Sequence, residues 1–201
     1  MTPLRSSKQL MRQWLLALCL VPALVSNAQK PVSAPDLTLS QQQLTAALLG
    51  QWTGVLEYRD YSEPATSIKR VQLPTWLTIQ PAPEGVFFDY IYDDGPGKTV
   101  LSHNALVIDL AKSLYRVVGT DAVTELYTIQ GAETLKDGHG VLALTGTGKD
   151  AGKPAEVRET WTVRRNLLSW LEEVRPAGSS EPFVFRHRYT FTRAQPPAPK
   201  P

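Results

Sequence analysis

Cysteine is nearly absent from this sequence: among 201 residues there is one, Cys19, and it sits inside an apolar run near the N-terminus. Leu18 precedes it where a lipoprotein signal needs a small residue, so lipidation is not expected there. Beyond that run the chain has no thiol, which excludes thiol catalysis, cysteine-bound metals and disulfides. Such a fold must be held by its own core, and a chain of this length suffices for about one domain. Trp14 to Val25, the apolar run itself, is too short to cross a bilayer comfortably. No repeat of solenoid length is visible. A phosphate loop is missing as well: Gly148 to Lys153 lacks the G-x-x-x-x-G-K spacing, a Ser or Thr after the lysine, and a following helix.

What is present begins with a secretory pattern over residues 1–28. Arg5, Lys8 and Arg12 precede the apolar run, and Ser26-Asn27-Ala28 offers small residues for a signal peptidase. Cleavage there would take the basic count from 21 to 18 against 19 acids, a net charge of about −1. With the basic stripe gone, nucleic acid is excluded as a partner, and no membrane span remains. The expected location is periplasmic or secreted.

Residues 29–39 contain Pro31 and Pro35 without periodicity and read as a linker. Ser40 and Gln43 have capping-box spacing. Leu44, Ala47 and Leu48 then share one face of a short helix that Gly50 ends. Ten strand candidates follow: Gln51 to Tyr61, Thr66 to Gln80, Val86 to Tyr92, Thr99 to Leu110, Ser113 to Val118, Val123 to Gln130, Gly140 to Thr147, Ala155 to Arg164, Leu167 to Val174 and Pro182 to Arg193. Between them lie turn-forming stretches such as Asp94-Gly95-Pro96-Gly97, so sequence neighbours should pair antiparallel. Pro74 cannot donate to a ladder and predicts a bend or bulge. The proline-rich residues 194–201 read as a disordered tail. The expected fold is all-β, an antiparallel up-and-down barrel of about ten strands over residues 40–193, opening with the short helix; two stacked sheets are the alternative.

Gly50-Gln51-Trp52, after a short helix and at the start of the first strand, resembles the G-x-W signature of the lipocalins and the wider calycin group. The resemblance implies that a basic residue near the end of the last strand, here Arg193, packs across Trp52. The chain departs from those families in two ways: Ser62 to Ala65 is too short for a helical lid, and no helix follows the last strand.

Alternation assigns the interior. Val157, Glu159, Trp161 and Val163 form the buried face of one strand. A two-residue turn at Arg165-Asn166 then sets Trp161 opposite Trp170, Glu159 opposite Glu172, and Arg158 opposite Glu173 outside. His187 and Tyr189 should point inward near Glu172, together with Phe183, Phe185 and Phe191; Arg186 and Arg188 alternate outward. Val86, Phe88, Tyr90 and Tyr92 add to the inner wall. If Val118 meets Val123, Arg116 faces Glu125, a pair that alternation allows on either the inner or the outer face.

The candidate ligand-binding residues are therefore Glu159, Trp161, Trp170, Glu172, His187, Tyr189, Tyr90, Tyr92 and Arg116, suited to a small apolar or amphipathic molecule. Glu159, Glu172 and His187 also have metal-ligand and acid–base chemistry, and His187 that of an axial haem ligand. Nothing positions a nucleophile, and no cofactor, metal or catalytic residue is assigned. A barrel filled by its own side chains, acting as an envelope structural or interaction protein, is the rival reading, and an enzyme using the interior Glu and His residues is the third.

Overall fold

The computed structural model describes residues 37–64, 66–119 and 124–194. The expected signal peptide, most of the expected linker and residues 195–201 lie outside these. Helix α1 (Leu37–Leu48) is followed by β1 (Gly50–Arg59), β2 (Arg70–Ala82), β3 (Gly85–Asp93), β4 (Thr99–Asp109), β5 (Leu114–Val118), β6 (Thr124–Gln130), β7 (Gly140–Asp150), β8 (Lys153–Arg164), β9 (Leu167–Pro176) and β10 (Val184–Arg193). Each strand pairs antiparallel with its sequence neighbours, and β1 pairs with β10, so the ten strands form a closed barrel. Closure removes the unpaired edges that an open sheet would expose.

Several boundaries differ from expectation, and three of them shape the ends of the barrel. The helix starts at Leu37, inside the expected linker, so Ser40 is a helical residue and not a cap. The β1–β2 connection runs from Asp60 to Lys69 rather than Ser62 to Ala65, because β2 starts only at Arg70. Ala194 belongs to the barrel and not to a disordered tail: its N–H donates to the Gln51 carbonyl at 2.9 Å.

Leu44 and Leu48 of α1 are fully buried and join the barrel core with Trp52. The Gln41 side chain fixes the helix by accepting the Leu110 N–H at 3.0 Å. Trp52 lies opposite Arg193 across the closing pair, with the guanidinium 4.2 Å from its ring centre. That guanidinium also donates to the carbonyls of Ala47, Leu49 and Arg165, tying the helix end to the β8–β9 turn. Gly50 makes room for it: φ is +124°, and a Cβ would sit 2.8 Å from Arg193 Nη1.

The β1–β2 register passes through Pro74 without a shift. The hydroxyl of Thr75 accepts the Leu56 N–H and donates to the Leu73 carbonyl, so the ladder is patched locally rather than bulged. The register shift lies instead in β10, between Phe185 and His187.

Candidate functional site

The β8–β9 hairpin has the expected register: Trp161 opposite Trp170, Glu159 opposite Glu172, Arg158 opposite Glu173. Glu159 and Glu172 are 6% and 5% exposed, deep enough that each charge needs a partner. They stand opposite one another across the hairpin, and Trp161 Nε1 donates to Glu159 Oε2 at 2.6 Å. Burial, and then the nearby Glu172 charge, push the Glu159 carboxyl up to about 8.

Glu172 meets two groups from β10. Arg186 Nη1 lies 2.6 Å from its Oε1, and His187 Nε2 lies 3.3 Å from its Oε2. Burial holds the His187 imidazole below its ordinary value; Glu172 opposes this and Arg186 adds to it. The His187 contact therefore joins a neutral ring to a carboxylate, and the ion pair is the one with Arg186. Both β10 residues reach the same carboxylate because the bulge inserts one residue between Phe185, opposite Glu173, and His187, opposite Glu172.

The bulge corrects the sequence reading. Strict alternation put Arg186 outside and Phe183 and Phe185 inside. Arg186 reaches the interior carboxylate, whereas Phe185 lies under Arg70 and Phe183 between Arg158 and Arg175, against outward-facing cations.

Arg116 is the second correction. Val118 pairs with Thr124 rather than Val123, so Arg116 faces Leu126 and points outward to Glu84 at 3.2 Å. A slip of one residue exchanges the faces of a strand. Tyr115 and Val117 take the inner side instead, opposite Tyr127 and Glu125, and Tyr127 donates to Glu125 at 2.9 Å.

Six of the eight remaining candidates come together, and Glu172 and Tyr92 stand outside the lining. Tyr90, Glu159, Trp161, Trp170, His187 and Tyr189 line a chamber of about 150 Å³, with Asn104, Tyr115 and Glu125 completing it. Trp161 stacks on Trp170 at 5.0 Å between ring centres, and Trp170 on Tyr189 at 4.6 Å. Tyr92 stands behind this stack, with its hydroxyl 2.9 Å from that of Tyr189, and burial pushes its phenol up to about 12. Burial likewise raises the Tyr90, Tyr115 and Tyr189 phenols well above their ordinary range, so all three keep their protons. The chamber thus offers flat aromatic walls, neutral hydroxyl and imidazole groups, the protonated carboxyl of Glu159, and a second carboxyl, Glu125, that accepts from Tyr127. Asn104, Tyr115 and Arg186 escaped the sequence reading, and Glu125 entered it only as the partner of Arg116. Tyr115 had a visible signal, because placing charged Arg116 outward puts Tyr115 and Val117 inward; the bulge at Arg186 had none.

Among the described residues no cluster of three or more His, Cys, Asp or Glu is arranged to hold a metal ion, and no helix is long and apolar enough to cross a membrane.

No protein-family model matches the chain. No curated protein matches it either. Among solved structures it is similar to the crystal structure of Rv2717c from M. tuberculosis, with a TM-score of 0.52 and 14% identity, covering 77% of this chain and 98% of that one. The shared property is the barrel. At that identity the likeness extends to the fold and not to the chamber.

Proposed function

We propose that this is an exported, lipocalin-like barrel that binds a compact, planar amphipathic molecule in its inner chamber. The observation that carries the reading is the chamber of about 150 Å³ between the Trp161–Trp170–Tyr189 stack and the polar groups of Glu159 and His187. Its volume is that of a cavity which holds a single benzene-sized ring, so the ligand is far smaller than a fatty acid or a haem. Aromatic walls favour a flat ring, and the neutral Glu159, His187 and tyrosine groups favour a ligand with hydrogen-bonding edges over a strongly charged one. The Trp52–Arg193 contact supports the lipocalin-like part, and the basic, apolar, small-residue order of residues 1–28 supports export to the periplasm or medium.

Native mass spectrometry of the protein isolated from its own host tests the binding: a bound species of low mass, lost in a Trp170→Ala variant, is expected. Protein that is ligand-free, and that gives no tryptophan fluorescence change with any small aromatic probe, would refute it. N-terminal sequencing tests export, with a start after Ala28 as the expected result.

The filled-barrel reading has one observation in its favour. Trp76, Ile91 and Leu101 are cross-strand neighbours on the outer wall and are 46%, 44% and 72% exposed. Protein lacking an internal ligand but recovered in a complex through this row would favour an interaction role.

A further inference from the structure

The lining of the inner chamber, all of it among the described residues, holds the carboxyls of Glu159 and Glu125 but neither lysine nor arginine. Glu159 keeps its proton, and the nearby Glu172 carboxylate is matched by Arg186, so neither calls for a further cation. Glu125 differs. It is the second residue of β6 and half-buried, and its Oε2 accepts from the Tyr127 hydroxyl at 2.9 Å. Across the β5–β6 pair it faces Val117, which brings no charge, while the Arg116 guanidinium is turned to the outer wall and meets Glu84. A carboxylate without a cation beside it, set among low-dielectric walls, gives the chamber a negative potential.

The walls point the same way. Tyr115 stands edge-on to Trp161 with ring centres 5.5 Å apart, and Tyr90 lies 5.5 Å from Tyr189, so five rings join the Trp161–Trp170–Tyr189 stack into one aromatic enclosure. Ring faces carry the negative part of the quadrupole, which attracts a cation and repels an anion. The imidazole of His187, held neutral by burial, supplies no positive charge to reverse this. A charged group docked at half-buried Glu125 stays partly hydrated while its ring takes the drier interior, which limits the desolvation cost. One positive charge there leaves the neutral groups deeper in the chamber to meet the uncharged part of the ligand. The volume of about 150 Å³ admits a single ring with a short nitrogen-bearing group.

Resting on the reading of the chamber as a ligand site, we propose that its ligand is a compact aromatic monocation, with the ring against Trp161, Trp170 and Tyr189 and the cationic nitrogen group at Glu125.

The test is an NMR titration of the full chain with three planar probes of nearly equal shape: cationic benzamidine, neutral benzamide and anionic benzoate. Benzamidine should shift the indole N–H signals of Trp161 and Trp170 saturably and bind at least about tenfold more tightly than benzamide, with benzoate weakest. Glu125→Gln, which keeps the size and an acceptor for Tyr127, should bring benzamidine down to the affinity of benzamide and leave benzamide unchanged. The comparison of the three probes on the unaltered chain decides the matter even if the variant does not fold. Equal binding of the three, or tightest binding of benzoate, would overturn the cation while leaving the chamber a ligand site. A preference for benzamidine that survives Glu125→Gln would overturn the role of Glu125. No shift with any of the three would overturn both the cation and the ligand-binding reading.

Discussion

Arg186 Nη1 lies 2.6 Å from Glu172 Oε1, a contact that strand alternation alone would forbid. The bulge beside Phe185 turns two consecutive residues toward Glu172, so the Arg186 guanidinium serves that member of the Glu159–Glu172 pair. Glu159, buried and facing Glu172, keeps its proton even though the Trp161 N–H favours the charged form. The polar half of the chamber is thus set by one irregularity in the backbone.

Stability should fall as pH rises through the Glu159 transition. Its folded value is raised to about 8 from the ordinary 4.5, so its stabilising contribution is complete below about 4.5 and lost as pH passes 8. His187 acts in the opposite sense, since its lowered value makes its contribution complete above 6.5 and lost toward acid. Between pH 6.5 and 8 the Glu159 slope therefore stands alone. Urea unfolding across that window should show a loss of about 1 to 2 kcal/mol. Glu159→Gln, whose amide can mimic the protonated carboxyl toward Trp161 and Glu172, should remove most of the loss without unfolding the protein. An unchanged slope would sink the assignment of the proton to Glu159.

Arg186→Met should leave Glu172 buried without its cation and cost about 1 to 3 kcal/mol at neutral pH, reduced from a fully buried pair because the Arg186 side chain is 28% exposed. Adding Glu172→Gln should recover part of that loss. A double-mutant cycle by urea unfolding reads the coupling, and additive losses would show that the pair contributes nothing.

Trp52→Ala should cost about 3 to 5 kcal/mol, since the indole is 1% exposed and its Nε1 donates to the Leu48 carbonyl. Arg193→Ala removes the guanidinium from the same ring and from three carbonyls. The two losses should be strongly non-additive in a thermal-unfolding cycle.

Gly54→Ala tests barrel closure. A Cβ there would sit 2.0 Å from the Thr190 carbonyl oxygen, which is backbone and cannot swing aside. The expected loss is about 1 to 3 kcal/mol or more, with hydrogen-exchange protection falling first in β1 and β10. Protection retained in both strands would mean that the closing pair relaxes freely.

Much of the barrel was legible because alternation and turn chemistry act over neighbouring residues. The β8–β9 register followed from a two-residue turn and from two faces that agreed, Trp161 with Trp170 inside and Arg158 with Glu173 outside. Across the β5–β6 connection no such agreement was available. The turn there is one residue longer than assumed, so Arg116 went outward and Tyr115 inward.

Local spacing along the chain was enough to settle that the strands alternate, that they meander, and that Glu159 meets Glu172, because each depends on residues of one hairpin. Tertiary structure alone decided the rest. The bulge at Arg186 depends on how β10 is held between β9 and β1, and the chamber depends on side chains brought together from strands far apart in the chain. The Arg59–Asp150 ion pair is likewise a product of closure, since the two residues stand 91 apart along the chain and meet only when β1 closes the barrel.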